Sequence, residues 1–139
     1  MIPKILNVDD STTIRLSLAR LFARFACEWR AAGNGAEGLA AALQEQPDLI
    51  LSDWNMPVMD GITMVRRLRE NPALKRTPVI MLTTESGPEY IATAARLAVR
   101  DYVIKPFRED ELLAKVGRII PLISRTETAT DPDAKPSKS

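Results

Sequence analysis

Five short apolar runs, each followed by a segment with helical spacing, constrain this chain more than any other feature of its sequence. The runs are Ile5-Leu6-Asn7-Val8, Cys27 to Ala32, Leu49 to Ser52, Val79-Ile80-Met81-Leu82 and Tyr102-Val103-Ile104. Short apolar runs bounded by turn residues read as strands buried on both faces. Between them, Ile14, Leu18, Leu21, Phe22 and Phe25 recur at helical spacing, with Ser11 as N-cap. An Ala-rich helix after Asn34-Gly35 is expected to turn Leu39, Ala42 and Leu43 inward. Ile62, Val65 and Leu68 mark a third helix, and residues 88–98 a fourth, with Pro88 in its first turn. Leu112, Val116, Ile119 and Ile120 form the buried stripe of a fifth, whose start carries Glu109 and Asp110. This alternation predicts an α/β fold of (βα)5 type. Its five-stranded parallel sheet is doubly wound, with helices on both faces and right-handed crossovers.

The chain of 139 residues is long enough for one self-sufficient core, placed here over residues 1–123. Residues 124–139 are Ser, Thr, Asp, Pro and Lys without apolar period and are expected to be a disordered polar tail. Nineteen Lys and Arg against 18 Asp and Glu give +1, a balance that predicts no general affinity for nucleic acid or membranes. No apolar stretch approaches a membrane span, and the lone cysteine, Cys27, fits a reducing compartment, so a cytoplasmic protein is expected. There is no histidine. That excludes histidine acid–base catalysis, a Ser-His-Asp triad and histidine metal ligands within this chain.

In a doubly wound sheet all strands end on one edge, and ligands bind in the crevice there. Strand one ends in Asp9-Asp10, strand three in Asp53, strand four in Thr83-Thr84 and strand five in Lys105-Pro106. Taken singly, each of these is a helix cap or a turn. Together they bring three carboxylates, a hydroxyl and an ammonium to one place. Crowded carboxylates repel unless a cation lies among them, and an all-oxygen set suits a hard ion such as Mg2+. Lys105 offers a point charge to phosphate oxygens and Thr83 a hydroxyl donor. Asp53, alone on the central strand and facing the other two, is the best nucleophile toward phosphorus.

The segments Val8-Asp9-Asp10-Ser11, Asp53-Trp54-Asn55-Met56-Pro57-Val58-Met59-Asp60-Gly61, Met81-Leu82-Thr83-Thr84-Glu85 and Tyr102-Val103-Ile104-Lys105-Pro106-Phe107 together resemble a response-regulator receiver domain of the CheY type. The resemblance covers about residues 3–120 and implies the strand order 2-1-3-4-5. It also implies that a sensor histidine kinase or histidine phosphotransfer protein donates a phosphoryl group to Asp53. Mg2+ would be held by Asp10, Asp53 and the Asn55 carbonyl, with Asp9 acting mainly through water. Thr83 and Tyr102 match the switch pair whose movement remodels the face formed by helix four, strand five and helix five. Asn55, Thr84 and Glu85 stand where phosphoryl lifetime is tuned, and Lys105-Pro106 matches a cis peptide bond. The implied protein is a phosphoacceptor in a two-component system or phosphorelay rather than a turnover enzyme.

The sequence departs from the common pattern at Ala98 and Asp101, where glycine is usual, and at Thr84, where alanine is. The loop at Ala98 is therefore expected to take another shape, and Thr84 to slow phosphoryl exchange. Trp54 is read as a partly exposed packing residue, Trp29 as strand packing, and Arg66, Arg67 and Arg69 as a solvated helix face. With so short a tail, output is expected through an unknown partner protein, without direct nucleic-acid or membrane contact, from a monomer or weak homodimer. The alternatives are a receiver excised from a larger protein and a phosphate-independent binding module. A haloacid-dehalogenase-type phosphatase is disfavoured, because Asp9-Asp10-Ser11 lacks its Asp-x-Asp spacing.

Overall fold

In the computed structural model, which describes residues 2–128, the five runs form β1 (Lys4–Val8), β2 (Glu28–Ala32), β3 (Leu49–Ser52), β4 (Val79–Thr83) and β5 (Asp101–Ile104). They alternate with α1 (Thr12–Phe22), α2 (Gly35–Glu45), α3 (Gly61–Glu70), α4 (Pro88–Arg96) and α5 (Glu109–Gly117). All neighbouring strands pair in parallel, in the order β2-β1-β3-β4-β5. This is the expected doubly wound sheet.

Side chains alternate along each strand, so the sheet builds two cores. Ile5, Leu49, Leu51, Ile80, Leu82 and Val103 face α1 and α5, where Leu18, Phe22, Leu112 and Val116 close over them. Leu6, Val8, Ile50, Val79 and Met81 face the opposite way, toward Ala42 of α2, Met64 and Leu68 of α3 and Ala94 of α4. Trp29 packs on β2 as expected, stacked 5.1 Å from Phe22.

Three expectations about packing need correction. Leu43 is 48% exposed rather than inward. Helix α2 lies so close to β1 that a Cβ on Gly38 would stand 2.8 Å from Val8; its buried residues are the small Gly35, Gly38, Ala41 and Ala42, with Leu39 partly buried beside them, and Leu43 faces outward. The loop at Ala98 is not reshaped by the missing glycine, since Ala98 itself adopts the left-handed conformation, φ 59°. Val99 N–H donates to Ala94 O at 3.0 Å, as in a Schellman cap. Arg69, far from being merely solvated, donates to Leu97 O at 2.9 Å, to Ala98 O at 3.3 Å and to Thr77 O at 2.8 Å. It thereby pins the turn that alanine enters at a cost of about 1–2 kcal/mol.

Residues 124–128, placed in the expected tail, are built onto the domain. Ser124 forms an antiparallel bridge with Phe25, and α6 (Arg125–Thr128) follows. The end of α1 leaves carbonyls that need donors. Arg125 donates to one of them, Ala23 O, at 2.9 Å and to Cys27 O, just before β2, at 3.2 Å, while Ala26 N–H donates to Ile123 O at 2.8 Å. The rest of the expected tail, 129–139, lies outside the described residues.

Candidate functional site

Backbone ladders carry the functional residues one step beyond their strands. Asp9 N–H donates to Ala32 O at 3.0 Å, Asp53 N–H to Val8 O at 2.9 Å and Lys105 N–H to Thr83 O at 2.8 Å. The carboxylates after β1 and β3 and the ammonium after β5 are thus fixed by the sheet rather than by mobile loops. The Lys105-Pro106 peptide bond is cis, as the motif implied.

Lys105 Nζ donates to Asp9 Oδ2 at 2.8 Å and to Asp53 Oδ2 at 3.1 Å. Oxygens of Asp9, Asp10 and Asp53 lie within 4.8 Å of one another. Asp9 is buried and Asp10 exposed, so the cluster has a closed side and an open one. Burial pushes the Asp9 carboxyl above the ordinary value, with Asp53 adding to the rise, while Lys105 and the Ser11 N–H pull it back. Burial alone would lower Lys105, but its bonds to Asp9 and the charges of Asp9 and Asp53 outweigh that and hold its ammonium above the usual value. Three carboxylates with oxygen-only donors are the chemistry of a divalent hard-cation site. The Asn55 backbone carbonyl accepts no backbone hydrogen bond among the described residues.

The loop after β3 is built tightly under Asp53. Gly61 N–H donates to Trp54 O at 2.8 Å, and a Cβ on Gly61 would stand 2.0 Å from the Asp53 carbonyl oxygen. Asp60 caps α3 through Thr63 N–H at 2.9 Å. Val58 takes φ 70° at 84% exposure, an uncommon conformation for a β-branched residue. Replacing it with asparagine, which tolerates this region, is expected to raise stability by roughly 1 kcal/mol, because no packing is lost. Urea denaturation checks this, and a lowered midpoint would contradict it.

The remaining residues singled out in the sequence lie on or just after β3, β4 and β5. Thr83 is fully buried, its hydroxyl accepting from Glu85 N–H at 3.3 Å, and Thr84 is exposed. The Asn55 side-chain amide donates to the Glu85 carboxylate, tying the loop after β3 to the loop after β4. Tyr102 OH donates to Glu85 O at 2.6 Å. Burial, then the charge of Glu85, pushes the Tyr102 hydroxyl up to about 12.

Trp54 is more buried than expected, at 7% exposure. The reason is Tyr90 of α4, whose ring meets it edge-on at 5.0 Å. Sequence reasoning missed Tyr90, because nothing in the apolar periodicity of α4 marks it as the partner of Trp54.

Residues 5–117 match the family described as the response regulator receiver domain. The chain belongs to that family. It is 35% identical over 120 residues to chemotaxis protein CheY1 of Helicobacter pylori, covering 84% of this chain and 96% of that one. It is 37% identical over 117 residues to chemotaxis protein CheY of Pseudomonas aeruginosa, covering 84% and 94%. With the regulatory protein AtoC of Escherichia coli it shares 40% identity over 123 residues, 88% of this chain but only 26% of that protein. The crystal structure of Vibrio cholerae chemotaxis protein CheY4 matches with a TM-score of 0.81 at 36% identity, covering 86% of this chain and all of that one. The chain is therefore a CheY-type receiver, a signalling module. Among the described residues no helix is long and apolar enough to cross a membrane.

Proposed function

We propose that this receiver is a phosphorylation-gated protein-binding module that takes a phosphoryl group onto Asp53. The observation that carries the reading is Lys105 Nζ seated between Asp9 and Asp53, with Asp10 completing the carboxylate cluster. The donor is a phosphohistidine on a sensor histidine kinase or a histidine phosphotransfer protein. An Asp53 carboxylate oxygen attacks phosphorus, and the phosphorus–nitrogen bond breaks. The imidazole nitrogen leaves with the bonding pair and takes up a proton.

Asp10, Asp53 and the Asn55 carbonyl would hold Mg2+, with Asp9 acting mainly through water. The ion supplies charge stabilisation for the transferring group's oxygens. Lys105, already within bonding distance of Asp53, moves its ammonium onto a phosphoryl oxygen, and the Thr83 hydroxyl turns toward the same group. The Tyr102–Glu85 contact lies next to this event, so one new local charge alters the α4–β5–α5 face to which an output protein docks. Asn55, Thr84 and Glu85 set how long the phosphoryl group survives.

A second reading is favoured by the match to AtoC, of which the chain spans 26%: the same receiver serving as one module of a longer regulator. The first function is tested by intact-mass spectrometry after incubation with phosphoramidate. Wild type is expected to gain one phosphoryl group only with Mg2+ present, and Asp53→Asn none. An adduct that persists in Asp53→Asn would refute it.

A further inference from the structure

Arg69 does more than pin one turn. Its side chain donates to Lys75 O at 3.2 Å and Thr77 O at 2.8 Å, and also to Leu97 O and Ala98 O. It thus joins the segment before β4 to the end of α4, and that junction gathers cations. Lys75 and Arg76 stand on the first stretch, Arg96 directly before Leu97, and Arg66 one turn before Arg69 on α3. Arg100 follows Ala98 by two residues, and its N–H donates to Val79 O at 2.8 Å. All five are exposed, and none makes an ion pair among the described residues. The neighbouring Asp101 is taken by Lys115 at 3.5 Å and Arg118 at 3.6 Å, which leaves Glu70 as the one acid in the three segments. A cation in the last turn of a helix is favourable in itself, which accounts for Arg96. Arg66 sits inside α3, and Lys75, Arg76 and Arg100 lie in no helix, so the dipole does not explain them. Like charges gathered this way repel one another and weaken the fold unless an anion lies among them.

We propose that Arg66, Lys75, Arg76, Arg96 and Arg100 form a docking site for an acidic segment of a partner protein, whose Asp and Glu carboxylates pair with these cations. The site lies at the amino ends of β4 and β5, the sheet edge opposite the Asp9, Asp10 and Asp53 cluster. It is therefore an anchor that works whether or not Asp53 carries a phosphoryl group. Charge complementarity selects the occupant. The whole chain carries only +1, so the positive field is local and fits a short acidic run. Beside the cations the exposed residues Ala73, Ala95 and Ala98 are small, so a peptide can approach until its carboxylates meet the arginine forks in pairs. Nucleic acid fits less well. Residues 66–76 and 95–100 hold no aromatic side chain on which a base could stack, and the opposite edge is acidic like the phosphates.

The probe is a fluorescein-labelled decaglutamate peptide, and binding to the full chain is read by fluorescence anisotropy. Wild type is expected to bind saturably at low salt and more weakly at about 0.15 M salt, where screening sets in. Arg76→Glu/Arg100→Glu is expected to bind at least about tenfold more weakly. Neither side chain makes a hydrogen bond or ion pair in the fold, so an unchanged Tm is expected, and Arg76→Gln/Arg100→Gln gives an intermediate loss with no charge reversed. Arg20→Glu/Arg24→Glu, on and just after α1, changes net charge equally and is expected to stay within about twofold of wild type. Asp53→Asn is expected to bind as wild type does. No saturable binding by wild type, or equal losses in the two charge-reversed variants, overturns the proposal and leaves Asp53 as phosphoacceptor untouched. Tighter binding of a DNA duplex or of phosphatidylserine vesicles, lost in Arg76→Glu/Arg100→Glu, overturns the assignment to a protein partner.

Discussion

Gly61→Ala is expected to lose about 3 kcal/mol or more of stability, and with it most of the capacity to be phosphorylated. The added Cβ would meet the Asp53 carbonyl oxygen at 2.0 Å and the Ser52 hydroxyl at 3.0 Å. The first of these is backbone at the end of β3, held by the Asp53 N–H to Val8 O ladder bond, so it cannot rotate away. The reason is steric, not conformational, since no glycine among the described residues has a positive φ. Relief must come from shifting either the start of α3 or Asp53 itself. Denaturant unfolding measures the first consequence and phosphoramidate uptake the second. A variant with wild-type midpoint and uptake would show that this close approach does not constrain the site.

Lys105→Ala is expected to slow phosphoryl uptake by roughly 100- to 1000-fold, the usual loss when a donor to transition-state charge is removed. The same change is expected to tighten Mg2+ binding, because Lys105 Nζ now occupies Asp9 Oδ2 and Asp53 Oδ2. The opposite directions of the two effects separate this account from simple damage to the pocket. The raised ammonium pKa fixes the sign of the pH dependence. Lys105 stabilises the fold fully below its unfolded value of 10.5, and that contribution fades as pH rises through its higher folded value. Mg2+ titration by Trp54 fluorescence and uptake by intact mass check the pair. Unchanged uptake would remove Lys105 from the chemistry.

The strands and the acidic edge were legible because each is written locally. Apolar runs such as Leu49 to Ser52 declare buried strands, and in a parallel sheet the polar residues after them must share an edge. What was not legible depends on residues distant in sequence. Arg69 read as solvent-facing because its partners, Leu97 and Ala98, stand 28 and 29 residues away. Arg125 read as tail because its acceptors Ala23 and Cys27 lie 102 and 98 residues back. Leu43 fitted the helical period, and only the close approach of Gly38 to Val8 decided which face of α2 went down. At the site, the patterns after Asp53 and Thr83 marked Asn55 and Glu85. Trp54 became a buried neighbour only through Tyr90, which is placed by the seating of α4 rather than by any motif.

Borohydride reduction of the phosphorylated protein, followed by peptide mapping, tests the central claim most directly. It converts an aspartyl phosphate to homoserine and so marks the residue that carried the phosphoryl group. The account predicts homoserine at position 53, dependent on Mg2+, and none at Asp9 or Asp10. Homoserine at either of those positions, or a phosphoryl adduct that leaves no homoserine anywhere, would contradict it.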